Sequence, residues 1–197
     1  MLFNKFSKKI EVGCDESGRG CLAGPVVAAA VLLPPNFENK DINDSKKINE
    51  KKREILSDLI ISKAISYGIG ISTVEEIDKI NILNASLLAM HRAIDCIKEN
   101  YEILLIDGNK FNPYKDIEHK CIIKGDSKYQ SIAAASILAK TARDKIMIKI
   151  DKEFPEYYWK RNKGYATKKH RSAIIINGTN IHHRKSFQLT KNQFELF

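Results

Sequence analysis

Cysteine is scarce in this 197-residue chain, and none of Cys14, Cys21, Cys96 and Cys121 forms a Cys-x-x-Cys pair. That excludes a zinc-finger spacing and argues against the disulfide framework of small secreted domains. The opening Met-Leu-Phe-Asn-Lys-Phe-Ser-Lys-Lys lacks the apolar run of a signal peptide, so the thiols are expected to be reduced and the protein cytoplasmic. Long hydrophobic runs are also missing. The longest, Pro25 to Pro35, is far shorter than the ~20 residues needed to cross a bilayer. No internal repeat and no Gly/Ser-rich or Pro-rich linker divides the chain, so one domain over 1–197 is expected. An acidic excess is lacking too: 33 Lys and Arg against 24 Asp and Glu leave a net charge of +9. A basic balance favours acidic partners, nucleic acid first.

The apolar pattern supplies an α/β fold. Ile10 to Asp15 alternates and then meets Glu-Ser-Gly-Arg-Gly, a strand running into a glycine turn. Val26 to Leu33 is a continuous apolar run closed by Pro34-Pro35, the mark of a buried central strand. Asp41 to Lys47 is polar and loop-like, and from about Asn49 apolar residues recur at helical spacing. Ile65, Tyr67, Ile69 and Ile71 alternate in a third strand. Val74–Ile80 and Asn84–Glu99 are expected helices, Glu102–Asp107 and His119–Lys124 further strands, and Ser131–Ile150 and Lys168–Ile176 further helices. Taking three strands ahead of the first helix, this order argues against a dinucleotide-binding fold and for a mixed five-stranded sheet flanked by helices, with a helical extension at the C-terminus.

Three expected strands end in carboxylates: Asp15-Glu16, Asp107 and Asp126. A lone Asp before Gly, such as Asp107, is ordinarily an exposed turn residue. Three such ends together point instead to a shared site. Crowded carboxylates raise one another's pKa and stay ionised when divalent cations sit between them, and hard oxygen ligands suit Mg²⁺ or Mn²⁺. Asp15 and Glu16 are adjacent, so both can serve one site only if the strand ends or twists there. Gly18-Arg19-Gly20 could bring backbone amides and a guanidinium to an anion. Lys160, Arg161, Lys163, Lys168, Lys169, His170 and Arg171 around Tyr165 read either as a nucleic-acid surface or as a solvated basic loop. The Tyr157-Tyr158-Trp159 cluster reads as packing rather than a base platform.

With their flanks, these residues resemble the ribonuclease HII family. Gly13-Cys-Asp-Glu-Ser-Gly-Arg-Gly-Cys-Leu-Ala-Gly-Pro25 looks like the family's opening signature. Asp44-Ser-Lys-Lys47, Leu105-Ile-Asp-Gly108, Lys124-Gly-Asp-Ser-Lys128, Ala134–Lys140, Arg143-Asp144, Gly164–Thr167 with His170, and Arg184-Lys-Ser-Phe187 match in order. Arg19 stands where the related ribonuclease HIII usually has lysine. The resemblance covers roughly residues 10–190 and implies a ribonuclease H-like fold. It implies that Asp15, Glu16, Asp107 and Asp126 are catalytic and bind Mg²⁺ or Mn²⁺, two ions when substrate is present. Asp144 is the rival to Asp126, but it lies four residues after Lys140 inside a helix, where an ion pair is the plainer reading.

The resemblance further implies that Gly18, Arg19, Gly20 and Tyr165 read a ribose-to-deoxyribose junction, while Lys46 and Lys47 contact phosphates. The partners would be RNA–DNA hybrid and ribonucleotide-containing duplex DNA, with the enzyme acting as a monomer. Gln193 and Phe197 in the tail do not amount to a sliding-clamp motif. Two rivals remain at this level: a metal-dependent DNA nuclease on the same core, which would cut all-DNA duplex, and a binding module that cuts nothing.

Overall fold

Two strands buried along almost their whole length form the centre of the fold: β1 (Glu11–Ser17) and β2 (Val26–Leu32). The computed structural model describes residues 2–43, 45 and 48–190. β2 is buried at every position, as its uninterrupted apolar run requires, because it has a strand on each side and helices over both faces. The mixed sheet has the order β3-β2-β1-β4-β5, with β3 (Ser66–Ser72), β4 (Ile103–Asp107) and β5 (Glu118–Ile122). β1–β2 and β2–β3 pair antiparallel, whereas β1–β4 and β4–β5 pair parallel.

The expectation of three strands ahead of the first helix does not hold. α1 (Glu50–Lys63) separates β2 from β3, which remain sheet neighbours only because the long connection returns to the same edge. α1 is capped by the Asn49 side chain, which accepts from Lys52 N. α2 (Val74–Asp95) opens with a capping box between Thr73 and Glu76. The two expected helices meet end to end within it at Asn81, whose φ of 65° breaks the helical geometry, and the second stops at Asp95 rather than Glu99. α3 (Gln130–Asp151) crosses the opposite face.

α2 therefore covers one face, packing Ile77, Leu87, Met90 and Ile94 on Val12, Cys14, Ala28 and Ala30. α1 and α3 cover the other, over Ala29 and Val31. The alternating isoleucines of β3 do not face α2. Gly68 and Gly70 do: a Cβ at either would come within 2.0 Å of a carbonyl oxygen of α2, so the helix lies directly on strand backbone. Tyr67 and Ile71 stay about two-fifths exposed on the other side of this edge strand.

The C-terminal extension comprises α4 (Trp159–Asn162) and α5 (Lys168–Asn177). Its own small core joins Trp159, Tyr157, Ala173, Ile174 and Leu189 to Met147 of α3 and to Leu22 and Ala23 of the β1–β2 loop. Trp159 and Tyr157 are packing residues, as expected, whereas Tyr158 is half exposed. No helix among the described residues is long and apolar enough to cross a membrane.

Candidate active site

β1, β4 and β5 run parallel, so their C-terminal ends gather at one end of the sheet. Asp15 stands near the end of β1 and Asp107 is the last residue of β4. Of the two conditions set by the sequence, that the strand end or twist at Asp15, the first is not met. β1 stays paired with β2 as far as Ser17, while its pairing with β4 reaches only Cys14. The sheet opens on the β4 side beyond that point. Asp15 and Glu16 both border a cavity of about 200 Å³ whose lining includes no residue of β4, so Asp107 lies outside it.

Asp15 is buried, and its Oδ1 accepts from the Glu16 amide at 2.7 Å. Its pKa is raised well above the usual carboxylate range, first by burial, then by the charges of Glu16 and Asp107, against a hydrogen bond from Ser136. Glu16 is also raised by burial, with Arg19 pulling it down and Asp107 pushing it up. Its Oε1 accepts from Arg19 Nη1 at 3.1 Å, while Oε2 is buried with no hydrogen-bond partner among the described residues. Asp107 accepts the Gly125 amide at 2.7 Å, tying the end of β4 to the turn that follows β5.

Gly18, Arg19, Gly20 and Tyr165 line the same cavity as Asp15 and Glu16. Gly18 has φ +101°, and a Cβ there would fall 2.1 Å from Arg143 Nε, so only glycine lets the chain turn at this height. Tyr165, two-fifths exposed, bridges Cys21 across the cavity rim. Asp126 is buried but does not border the cavity. Nor does it end a strand: β5 stops at Ile122, and Asp126 lies in the single 3-10 turn Gly125–Ser127, next to the amide that holds Asp107. Lys46 and Lys47 lie outside the described residues.

Four cavity residues were not among the expected site residues: Ser17, Ser45, Ser136 and Lys140. Ser136 and Lys140 are four apart on α3 and so share a face, the one signal that could have found them. The Ser45 and Ser136 hydroxyls are 2.9 Å apart. Lys140 is ion-paired to Asp144 at 2.5 Å, and burial lowers its pKa against that pairing. Asp144 also binds Arg53 at 3.1 Å, so the expected i,i+4 ion pair is present with a second cation added.

This donor set suits a hard divalent cation. It is all oxygen, it concentrates negative charge, and it leaves one buried carboxylate oxygen unpaired. Among the described residues no group of three or more His, Cys, Asp or Glu side chains stands close enough together to hold a metal ion.

A sequence model described as Ribonuclease HII matches residues 12–190. The protein named Ribonuclease HII in Bacteroides fragilis strain ATCC 25285 is 60% identical over 95% of this chain and 94% of its own length. That of Christiangramia forsetii is 57% identical over 99% of both chains. Among solved structures, ribonuclease H2 from Pyrococcus horikoshii superposes with a TM-score of 0.79 at 21% identity, over 94% of this chain and 97% of that one. A ribonuclease HIII solved with Mn²⁺ gives a TM-score of 0.73 at 18% identity, over 94% of this chain and 69% of that one. At those identities the likeness is one of fold, and it places the sheet and its helices in the ribonuclease H-like class.

Proposed function

The chain belongs to the ribonuclease HII family, and from that premise we propose that it cuts on the 5′ side of a ribonucleotide embedded in duplex DNA, leaving 3′-hydroxyl and 5′-phosphate ends. Family membership makes it an endoribonuclease that hydrolyses the RNA strand of RNA–DNA hybrids. The observation that carries the finer reading is the shared cavity. Asp15 and Glu16 border the same space as Gly18, Arg19, Gly20 and Tyr165, so the group that cuts and the group that reads the sugar meet one nucleotide step.

Asp15, Glu16, Asp107 and Asp126 would hold two divalent ions, Mg²⁺ or Mn²⁺. Bound there, these ions would supply an activated water and neutralise the leaving 3′ oxygen. Arg19, paired here with Glu16, would place its guanidinium at the phosphate of the junction. Amides of the glycine loop read the 2′-hydroxyl, the local mark that separates RNA from DNA. The Tyr165 ring packs on the neighbouring deoxyribose and leaves no room for a second 2′-hydroxyl. Lys46 and Lys47 would contact flanking phosphates. A single catalytic domain acting as a monomer suffices for this chemistry, and its role would be removal of stray ribonucleotides and primer RNA.

The test is cleavage of an end-labelled DNA duplex containing one ribonucleotide, with Mg²⁺, Mn²⁺ or EDTA, beside an all-DNA control. The expected result is a metal-dependent cut 5′ of the ribonucleotide with the control intact. Cleavage of long hybrids alone would overturn the junction reading, and cleavage of the control would favour a DNA nuclease.

A further inference from the structure

Arg143 and Arg184 are both fully buried, and among the described residues neither forms an ion pair. An interior guanidinium without a carboxylate is costly unless its donors are all used. Here they are used on backbone carbonyls. Arg184 Nη2 donates to Gly18 O at 2.7 Å, and Nη1 donates to Arg19 O at 2.9 Å. Its Nε and Nη2 both donate to Gly24 O, at 2.9 and 2.8 Å, and Nη2 reaches Pro25 O at 3.2 Å. Arg143 takes Ala23 O at 3.0 Å, Pro25 O at 2.9 Å and Lys163 O at 2.8 Å. The β1–β2 loop is thus pinned from beneath by its carbonyls.

The peptide plane turns this pinning into a statement about the cavity. In a trans peptide the carbonyl of one residue and the N–H of the next point in opposite directions, and the described chain has no cis bonds. Holding the Gly18 and Arg19 oxygens on Arg184 therefore aims the Arg19 and Gly20 amides away from it, on the side where Gly18, Arg19 and Gly20 line the cavity. A lysine could not do this. Its ammonium is a point donor, whereas the planar fork reaches carbonyls on separate sides at once.

We propose that Arg184 is a positioning residue for sugar discrimination: by tethering the Gly18 and Arg19 carbonyls it orients the Arg19 and Gly20 amides toward the 2′-hydroxyl. This rests on the junction-cutting reading above. The role differs from general support of the fold, because the bonds from Arg184 go only to the loop that borders the scissile step.

The experiment measures binding of a DNA duplex with one ribonucleotide, and of its all-DNA twin, to the unaltered protein and to Arg184→Lys, in EDTA so that nothing is cut. The preference for the ribonucleotide duplex should fall about 10-fold or more in the variant, while affinity for the all-DNA twin, carried by phosphate contacts, stays within a factor of about two. A folded variant that keeps its preference overturns the proposal, as does one that loses affinity for both duplexes equally. Should Arg184→Lys fail to fold, backbone amide NMR of the unaltered protein decides. The Arg19 and Gly20 resonances should shift differently with the two duplexes, and identical shifts would overturn the assignment. An unaltered protein with no preference at all would overturn the junction reading first and this inference with it.

Discussion

Asp15, hydrogen-bonded by Ser136 of α3, and Asp144, on α3 itself, are both buried aspartates, at 6% and 4% exposure, and their surroundings are opposite. Asp15 faces two other carboxylates, Glu16 and Asp107, and its pKa is driven up. Asp144 lies between two cations, Arg53 and Lys140. The first has charge to give to a metal. The second has spent its charge on an internal network. Arg53 extends that network by donating to the carbonyls of Ser45 and Ile48, so Asp144 helps hold the loop beside the cavity without entering it. Burial alone does not separate a working carboxylate from a structural one; the sign of its neighbours does.

The comparison is broken most severely at Asp15. Asp15→Asn should lower turnover by roughly 10³-fold or more, since on the proposed function it removes a ligand and charge at the reacting centre. The metal-free variant should nevertheless be more stable than the unaltered protein near neutral pH, because burial and the charges of Glu16 and Asp107 disfavour the ionised carboxylate. Denaturant titration in EDTA checks this, and a less stable variant would remove the repulsion argument.

Asp144→Asn should do the reverse. Leaving Arg53 and Lys140 unpaired in the interior should cost about 3–5 kcal/mol of stability. At a temperature where the variant is folded it should keep its metal dependence, which activity titrated against Mn²⁺ would show. A shifted metal requirement instead would make Asp144 a ligand.

Two pH dependences sharpen the contrast. A carboxylic acid with a raised folded pKa, such as Asp15, contributes stability that is full below the ordinary carboxylate range and is lost as pH rises through the raised value. The stability gap between Asp15→Asn and the unaltered protein should thus widen from acid to neutral pH in EDTA, and added Mn²⁺ should close it. His183 has the opposite sign. Burial, then the neighbouring His170, pushes its pKa down to about 4. Its contribution is present above about 6.5, the ordinary histidine value, and is lost as pH falls toward about 4. His183→Gln should flatten that acid limb, which is worth up to roughly 3 kcal/mol. Thermal melts across the range would test it, and an unchanged limb would place the acid sensitivity elsewhere.

Much of this was legible in the sequence because it is periodic or local. The Val26–Leu32 run could only be a central strand, and carboxylates at strand ends mark a site once the strands run parallel. Other features depend on what lies opposite a residue. The large residues of β3 alternate as a strand's should, but it is Gly68 and Gly70 between them that admit the α2 backbone, and no spacing rule weighs an absent side chain. The turn after β5 was read as a strand end because nothing in Lys124-Gly-Asp announces a left-handed residue, which Lys124 is at φ 55°. Arg143 and Arg184 sit in basic, polar stretches and look like surface residues. Their burial follows from carbonyls contributed by a loop more than 100 residues away, beyond any local pattern.

That distance also sets a schedule for synthesis. The loop carrying Gly18 leaves the ribosome well before Arg184, which pins it and lies 166 residues later. At a translation speed of roughly 5–20 residues per second, the loop waits on the order of ten seconds or more for its anchor. A nascent or prematurely terminated chain can hold every carboxylate of the site while its loop stays unanchored. On the role proposed for Arg184, selectivity for the sugar is acquired only after the carboxylates are in place.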